Sequence, residues 1–253
     1  IVRGVVNMVV SLMDGYKCLM KSAEISTQGL EEEEPSRFEK WLDEKLGDKM
    51  TKVVSVISAV LGFGVAILLF TFLPAFLGGL LKGVLPRWGL SLFEGLLKIA
   101  LFIGYLALVS LMPDMKRMFQ YHGAEHKTIF CYEAGLELTV ENVRKQRRFH
   151  PRCGTSFLII ALVLSILVFS VVTWSSPLIR TLLKLALTPL VVGIAYELIK
   201  LAGRYDNLFT RIISFPGLQL QHLTTREPDD SMIEAAIASM KPVVPETKGE
   251  DQW

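Results

Sequence analysis

The sequence predicts an all-α, polytopic helical membrane protein with about four transmembrane helices, together with amphipathic and cytoplasmic helices. Apolar residues make up 51% of its 253 residues, and the mean hydropathy is +0.42. They are gathered into runs of about 20 residues, the length that crosses about 30 Å of hydrocarbon. Basic residues are concentrated between these runs, in the termini and in one central segment.

Four runs are long enough to span a bilayer. They are Val53–Leu81, Leu90–Met112, Ser156–Trp174 and Leu178–Ala202. They divide the chain into interfacial helices at 1–52, two spans at 53–112, a loop at 113–155, two spans at 156–202 and a tail at 203–253.

The first 21 residues place polar side chains three or four positions apart, at Arg3, Asn7, Ser11 and Asp14. This spacing predicts an amphipathic helix that lies in the membrane interface or packs on the bundle. After an acidic linker, Ser36 is a predicted N-cap for an interfacial helix that leads into the first span.

Two of the predicted spans carry charged residues near their start. Glu94 and Lys98 are four residues apart in the second span and can neutralise each other. In the fourth span, Arg180 and Lys184 can extend outward to the membrane surface.

The distribution of basic residues predicts the orientation. Residues 1–52 and the loop 113–155 each contain eight Lys or Arg. The positive-inside rule therefore places both termini and the central loop in the cytoplasm. Cys18, Cys131 and Cys153 all fall on that side, where a reducing environment favours metal binding or packing over disulfides.

The central loop contains the motif H-x-x-E-H, formed by His122, Glu125 and His126. On a helix the two histidines share one face, so both can bind one metal ion while Glu125 reaches a metal-bound water. This is the inverted zincin arrangement, with Glu125 as general base. The alternative is a polar helix whose histidines only form hydrogen bonds.

Three further candidate ligands lie at the same predicted membrane face. His150 and Cys153 form H-x-x-C before the third span, and Glu197 lies about five residues inside the fourth. An ionisable side chain there is a functional candidate, although a carboxylate that extends toward the surface beside Lys200 is the simpler alternative.

Two ligand sets remain open. Glu197 follows His126 by 71 residues (197 − 126), which suits the downstream glutamate ligand of inverted zincins. Cys153 competes for this third position, and with His150 it would make a closed structural zinc site. Zn²⁺ is the expected ion in both cases.

Charged segments of the loop and tail suggest partners. The basic stretch with Arg144, Lys145, Arg147 and Arg148 can contact anionic headgroups, a ribosome or a translocon. In the tail, Glu227, Asp229 and Asp230 precede a predicted helix at about Ser231–Met240, where they can cap the helix or close over the metal site.

Four blocks of sequence carry a family resemblance: YHGAEHK at 121–127, HPRCGTSF at 150–157, YELIKLAGR at 196–204 and PGLQLQHLTTREPDD at 216–230. In this order they resemble the YqhQ-like family of bacterial membrane proteins, which have no known function and are predicted to be metal-dependent enzymes. The resemblance implies a bacterial inner membrane location. Family members usually begin with a further Gly-rich segment, so a truncated N-terminus is expected here.

The leading hypothesis is a zinc-dependent hydrolase at the cytoplasmic membrane face, acting on a peptide or membrane-protein substrate. The alternative is a non-catalytic factor for membrane-protein assembly, in contact with the translocon or ribosome, whose metal is structural. In both hypotheses membrane lipids surround the spans.

Overall fold

The computed structural model describes residues 2–27, 50–170, 177–205 and 207–245. It divides into two compact units, Val6–Leu81 and a second made of Ile1–Val5 with Lys82–Trp253. The predicted helix that follows Ser36 lies outside the described residues.

The described residues are mostly helical, as the all-α prediction requires. The α-helices are α1 (Val2–Thr27), α2 (Met50–Ile67), α3 (Leu73–Leu80), α4 (Arg87–Val109), α5 (Pro113–Glu133), α6 (Val140–Arg144), α7 (Gly154–Ser170), α8 (Pro177–Arg204), α9 (Leu208–Thr224) and α10 (Asp230–Met240).

Within the described residues, three helices are long and apolar enough to cross a membrane: Val56–Leu80, Trp88–Val109 and Leu182–Arg204. The prediction of a polytopic helical membrane protein is therefore confirmed. The remaining predicted span corresponds to α7, a shorter apolar helix of 17 residues. The last residues predicted for that span, 171–174, are outside the described part of the chain.

The long span of the first unit is continuous through α2 and α3. A π-helical turn at Leu68–Phe72 joins the two helices just before Pro74. Because proline has no N–H, the backbone around it must rearrange, and a π-turn is one way to do so. Apolar side chains along this helix are exposed, as a membrane-spanning helix requires.

Helix α7 is the centre of the second unit and packs against α4, α8 and α9. The close contacts use small residues. A Cβ atom on Gly217 of α9 would lie 2.5 Å from the side chain of Ser156 on α7, so a larger residue there would push these helices apart.

An ion pair joins α4 to α8 inside this bundle. Nζ of Lys184 lies 3.2 Å from Oε2 of Glu94, and the two side chains are only 20% and 7% exposed. The expectation that Lys184 extends outward is therefore wrong, because it contacts a buried carboxylate on the neighbouring helix. The pair lowers the cost of placing either charge among apolar helices.

A smaller core, made of apolar side chains as in soluble proteins, forms where α10 packs on α5 and α6. Its members are apolar residues from all three helices: Ala124, Cys131, Val143, Met232, Ile233, Ala236 and Ile237. The side chain of Asp229 accepts a hydrogen bond from the N–H of Met232 at 3.0 Å, so the predicted cap of this helix is confirmed.

Candidate metal centre

Helix α5 carries the H-x-x-E-H motif. It begins at Pro113 and ends at Glu133. Two residues later Gly135 has a φ of +67°, a backbone conformation that glycine adopts readily and that commonly terminates helices. The rings of His122 and His126, one turn apart, have centroids separated by 4.3 Å. His126 is buried, whereas Glu125 is exposed.

Cys153 approaches these histidines from the loop before α7. Its side chain is 8% exposed, and Sγ lies 3.2 Å from Nε2 of His122. Among the described residues, His122, His126 and Cys153 form a group whose ligand atoms all lie within 4.8 Å of one another.

Main-chain carbonyls orient both imidazoles. Nδ1 of His122 lies 2.8 Å from the carbonyl oxygen of Thr224, and Nδ1 of His126 lies 2.5 Å from that of Arg148. A carbonyl oxygen only accepts hydrogen bonds, so each Nδ1 carries the proton. Nε2 of each ring is then the nitrogen left to face Cys153.

The cluster stabilises a thiolate. Burial raises the pKa of Cys153, but hydrogen bonds and charge interactions with His122 and His126 outweigh burial and lower this pKa to about 5. Burial lowers the pKa of His122, yet the interactions with Cys153, the Thr224 carbonyl and Glu125 raise it overall. With a pKa of about 5, the Cys153 thiol is ionised at neutral pH.

His150 lies next to this cluster. Its ring centroid is 5.8 Å from that of His126, and Nε2 lies 3.4 Å from a carboxylate oxygen of Glu133. Burial lowers the pKa of His150, while the charge of Cys153 raises it. The group of close ligand atoms does not include His150, whose role as a ligand stays a prediction.

Glu197 lies on α8 with a different neighbour. Its carboxylate accepts hydrogen bonds of 3.1 and 3.2 Å from the guanidinium of Arg3 in α1. The structure therefore places an N-terminal cation at this carboxylate, and Glu197 is outside the group of three donors.

Gln221 of α9 fixes the loop that delivers Cys153. Its amide accepts a 2.7 Å hydrogen bond from the N–H of His150 and donates one of 2.7 Å to the carbonyl of the same residue. A third hydrogen bond, of 2.9 Å, goes to Oγ of Ser156. Sequence reasoning missed this residue, because a glutamine in an apparent tail carries no distinct signal.

Glu227 connects the C-terminal segment to the site. Its carboxylate lies 2.8 Å from Nζ of Lys127, which is buried on α5, and 3.0 Å from the guanidinium of Arg148. These cations hold the pKa of Glu227 below its usual value, although burial raises it. Since the Arg148 carbonyl orients His126, Glu227 supports the site indirectly.

The segment after α9 also packs directly on α5, the helix that carries the two candidate histidine ligands. The N–H of Arg226 donates to the carbonyl of Phe119 at 2.8 Å, and a Cβ atom at Gly123 would clash with the Arg226 carbonyl oxygen. Gly123, inside the motif, is therefore required for close approach. Of the two alternatives for the acidic segment, capping is seen at Asp229, and closure over a metal site stays a prediction.

The basic stretch forms ion pairs within the chain. Arg144 pairs with Asp230, Lys145 with Glu141, and Arg148 with Glu227. Contacts of this stretch with lipid, ribosome or translocon stay predictions.

A model for the family described as "Protein of unknown function (DUF1385)" matches residues 1–246. The chain belongs to this family. A relative in Bacillus subtilis (strain 168), described as "Uncharacterized protein YqhQ", is 36% identical over 239 residues, which cover 94% of this chain and 74% of the relative. No solved structure shows significant similarity. The expected family membership is confirmed, and neither description assigns an activity.

Proposed function

We propose that the chain is a zinc-dependent hydrolase whose metal ligands are His122, His126 and Cys153 and whose general base is Glu125. The observation that carries the proposal is the orientation of the two imidazoles. Both Nδ1 atoms are held by carbonyls, both Nε2 atoms remain available, and Cys153 Sγ lies 3.2 Å from one of them. Histidine ligands of zinc commonly have such a partner on the second nitrogen.

The three donors fit zinc in chemistry and in spacing. Zinc accepts imidazole nitrogen and thiolate sulfur, and tetrahedral geometry separates such ligand atoms by about 3.5 Å. The ligand atoms here lie within 4.8 Å, so small side-chain adjustments suffice. Three protein ligands leave one position open, which is typical of catalytic zinc sites.

An orphaned polar atom beside the cluster also supports a bound group. The hydroxyl of Thr224 is buried and, in the described part of the chain, has no hydrogen-bond partner. Its carbonyl is the group that holds His122. Buried hydroxyls normally have a partner, so a water or ligand is expected at this position.

We favour Cys153 over Glu197 as the third ligand because of their contacts. Cys153 is within reach of both imidazoles, whereas Glu197 forms an ion pair with Arg3. A thiolate is also a softer ligand than a carboxylate, and zinc accepts thiolate sulfur readily beside imidazole nitrogen.

The chemistry proposed is hydrolysis of a carbonyl substrate. Zinc in this position would polarise the carbonyl and lower the pKa of water. Glu125 lies one residue before His126 on an exposed face of α5, so it can accept the proton of the attacking water and deliver it to the leaving group. Its interaction with His122 indicates that the carboxylate lies near the site.

The proposed location is the cytoplasmic face of a bacterial inner membrane, with both termini in the cytoplasm and a peptide or membrane-protein segment as substrate. The excess of Lys and Arg in residues 1–52 and 113–155 supports this orientation. A fluorescent reporter fused after Trp253 should fold and fluoresce, whereas a reporter that is active only outside the cytoplasm should be silent. The reverse pattern would refute the orientation.

The ligand set can be tested by metal analysis of the purified protein. Wild type should contain stoichiometric zinc, and Cys153→Ala or His126→Ala should lose it because three ligands are needed for tight binding. His222→Ala is the matched control, since His222 is exposed on α9 and should not affect metal content. Full zinc content in Cys153→Ala would eliminate this ligand set.

Glu125→Gln separates hydrolysis from a structural role. In a cleavage assay with a peptide library and mass-spectrometric detection, the variant should retain zinc but lose cleavage by at least about 100-fold. Glu234→Gln, at an exposed position of α10, should behave as wild type.

A second candidate, an assembly factor with structural zinc, is favoured by the burial of the site. His126 and Cys153 are only 4% and 8% exposed. If purified wild type contains zinc but cleaves no peptide, and Glu125→Gln preserves growth in cells that depend on the gene, the assembly role replaces the hydrolase.

A further inference from the structure

Helix α9 has its polar and apolar faces reversed relative to a helix of a soluble protein. The face turned to α7 and α8 is mainly polar or small: apart from Leu220, the buried residues are Thr210, Ser214, Gly217, Gln221 and Thr224. The opposite face of its first half exposes Leu208, Phe209, Ile212 and Phe215, each more than half accessible. Turning the helix over would break the hydrogen bonds of Gln221.

The connection to α8 places this face at a membrane surface. The membrane-spanning segment of α8 ends at Arg204, and α9 begins at Leu208. Three intervening residues can extend only about 10 Å. The exposed apolar residues therefore begin close to the depth at which the span leaves the hydrocarbon.

We propose that α9 is an interfacial membrane helix whose first half inserts its exposed apolar face into the lipid bilayer. Arg204 and Tyr205 precede it, and Arg211 lies between its apolar residues. Arginine and tyrosine at this depth contact phosphates and the headgroup region, which suits an anionic lipid surface.

The second half of α9 is expected to leave the lipid. There the exposed positions are polar, as at Gln219 and His222, and the helix ends at Thr224 beside the metal cluster. The inference does not depend on hydrolysis or on bound metal, because it follows from burial and chain connectivity alone.

Site-specific photocrosslinking in reconstituted vesicles tests the inference. The photoreactive residue p-benzoylphenylalanine replaces Phe209 or Phe215, and the full-length protein is placed in vesicles of phosphatidylethanolamine and phosphatidylglycerol. Irradiation should give phospholipid adducts at both positions by mass spectrometry. The same probe at Ala238, exposed on α10, should give at least tenfold fewer.

Other adducts would overturn the inference. Crosslinks from Phe209 or Phe215 to a second copy of the chain, or to residues 6–81, would show that protein covers the face. A lipid yield equal to that at Ala238 would show that α9 lies in water. Leu208 offers a third probe position if either aromatic replacement prevents folding.

Discussion

Helices α9 and α10 follow one another in the chain but bury opposite kinds of side chain. Helix α9 buries Gln221 and Thr224 and exposes Ile212, whereas α10 buries Ile233 and Ile237. A buried apolar face is typical of a helix in water, as at α10, whereas a buried polar face with exposed apolar residues is what the proposed lipid contact of α9 requires. The cluster of His122, His126 and Cys153 lies where the two patterns meet, at Thr224.

The largest effect is expected from a charge in the core of α10. Ile233→Asp places a carboxylate at a position that is 1% exposed, among apolar residues of α5 and α6. The free energy of unfolding in detergent micelles should fall by about 4 kcal/mol. Ala235→Asp, exposed on the same helix, should change it by less than about 0.5 kcal/mol. Equal effects would mean that α10 has no buried face.

The buried polar face of α9 is tested by Gln221→Leu. The change removes the three hydrogen bonds of this amide and leaves the N–H and carbonyl of His150 without that partner. The free energy of unfolding should fall by about 2–3 kcal/mol. The matched variant Gln219→Leu alters an exposed glutamine of the same helix and should be nearly neutral. A stabilising Gln221→Leu would contradict the importance of the polar face.

At the junction of the two patterns, the metal-free protein should show an acidic thiol. With the Cys153 pKa at about 5, its alkylation rate should be nearly constant above pH 6 and should fall about tenfold between pH 6 and pH 4. This fall corresponds to about 1.4 kcal/mol in the apparent activation free energy of alkylation. Because the folded-state pKa is lower than the ordinary value of 9.0, the linked stability is lost as the pH falls toward 5.

Cys131 is the internal comparison for this measurement, since burial raises the pKa of its thiol. It should remain unmodified at neutral pH, with the site of labelling identified by peptide mapping. A Cys153 rate that still rises tenfold from pH 7 to pH 8 would indicate an ordinary thiol.

The smallest effect is expected at the surface of α10. Asp230→Ala removes the ion pair with Arg144, in which both side chains are more than half exposed. Because exposed ion pairs contribute little to stability, the free energy of unfolding should fall by about 0.5 kcal/mol, and by less at high salt. A fall of more than about 2 kcal/mol in the free energy of unfolding would show that the Arg144–Asp230 pair is less hydrated than its exposure indicates.

Local patterns predicted the parts of this molecule that depend on neighbours in sequence. The spacing of His122 and His126 is sufficient to put both on one face of α5, and apolar runs predicted the membrane helices to within a few residues. Cys153 could be proposed only as a competitor, because its approach depends on a loop held by Gln221 of another helix.

Contacts between residues far apart in the sequence could not be predicted from local patterns. The pairing of Glu197 with Arg3 joins residues 194 apart, and no local pattern links them. The sequence predicted helix α9 only as part of a tail at 203–253. In the structure Pro216 lies inside the helix and the polar residues face α7.

The ion pair between Glu94 and Lys184 has a consequence for biosynthesis. The two residues are 90 apart in sequence, so α4 emerges from the ribosome roughly 5–20 s before α8 can supply the lysine. Nascent chains that end before Lys184 lack this ionic partner of Glu94, so the contact between α4 and α8 can form only after the later helix has been synthesised.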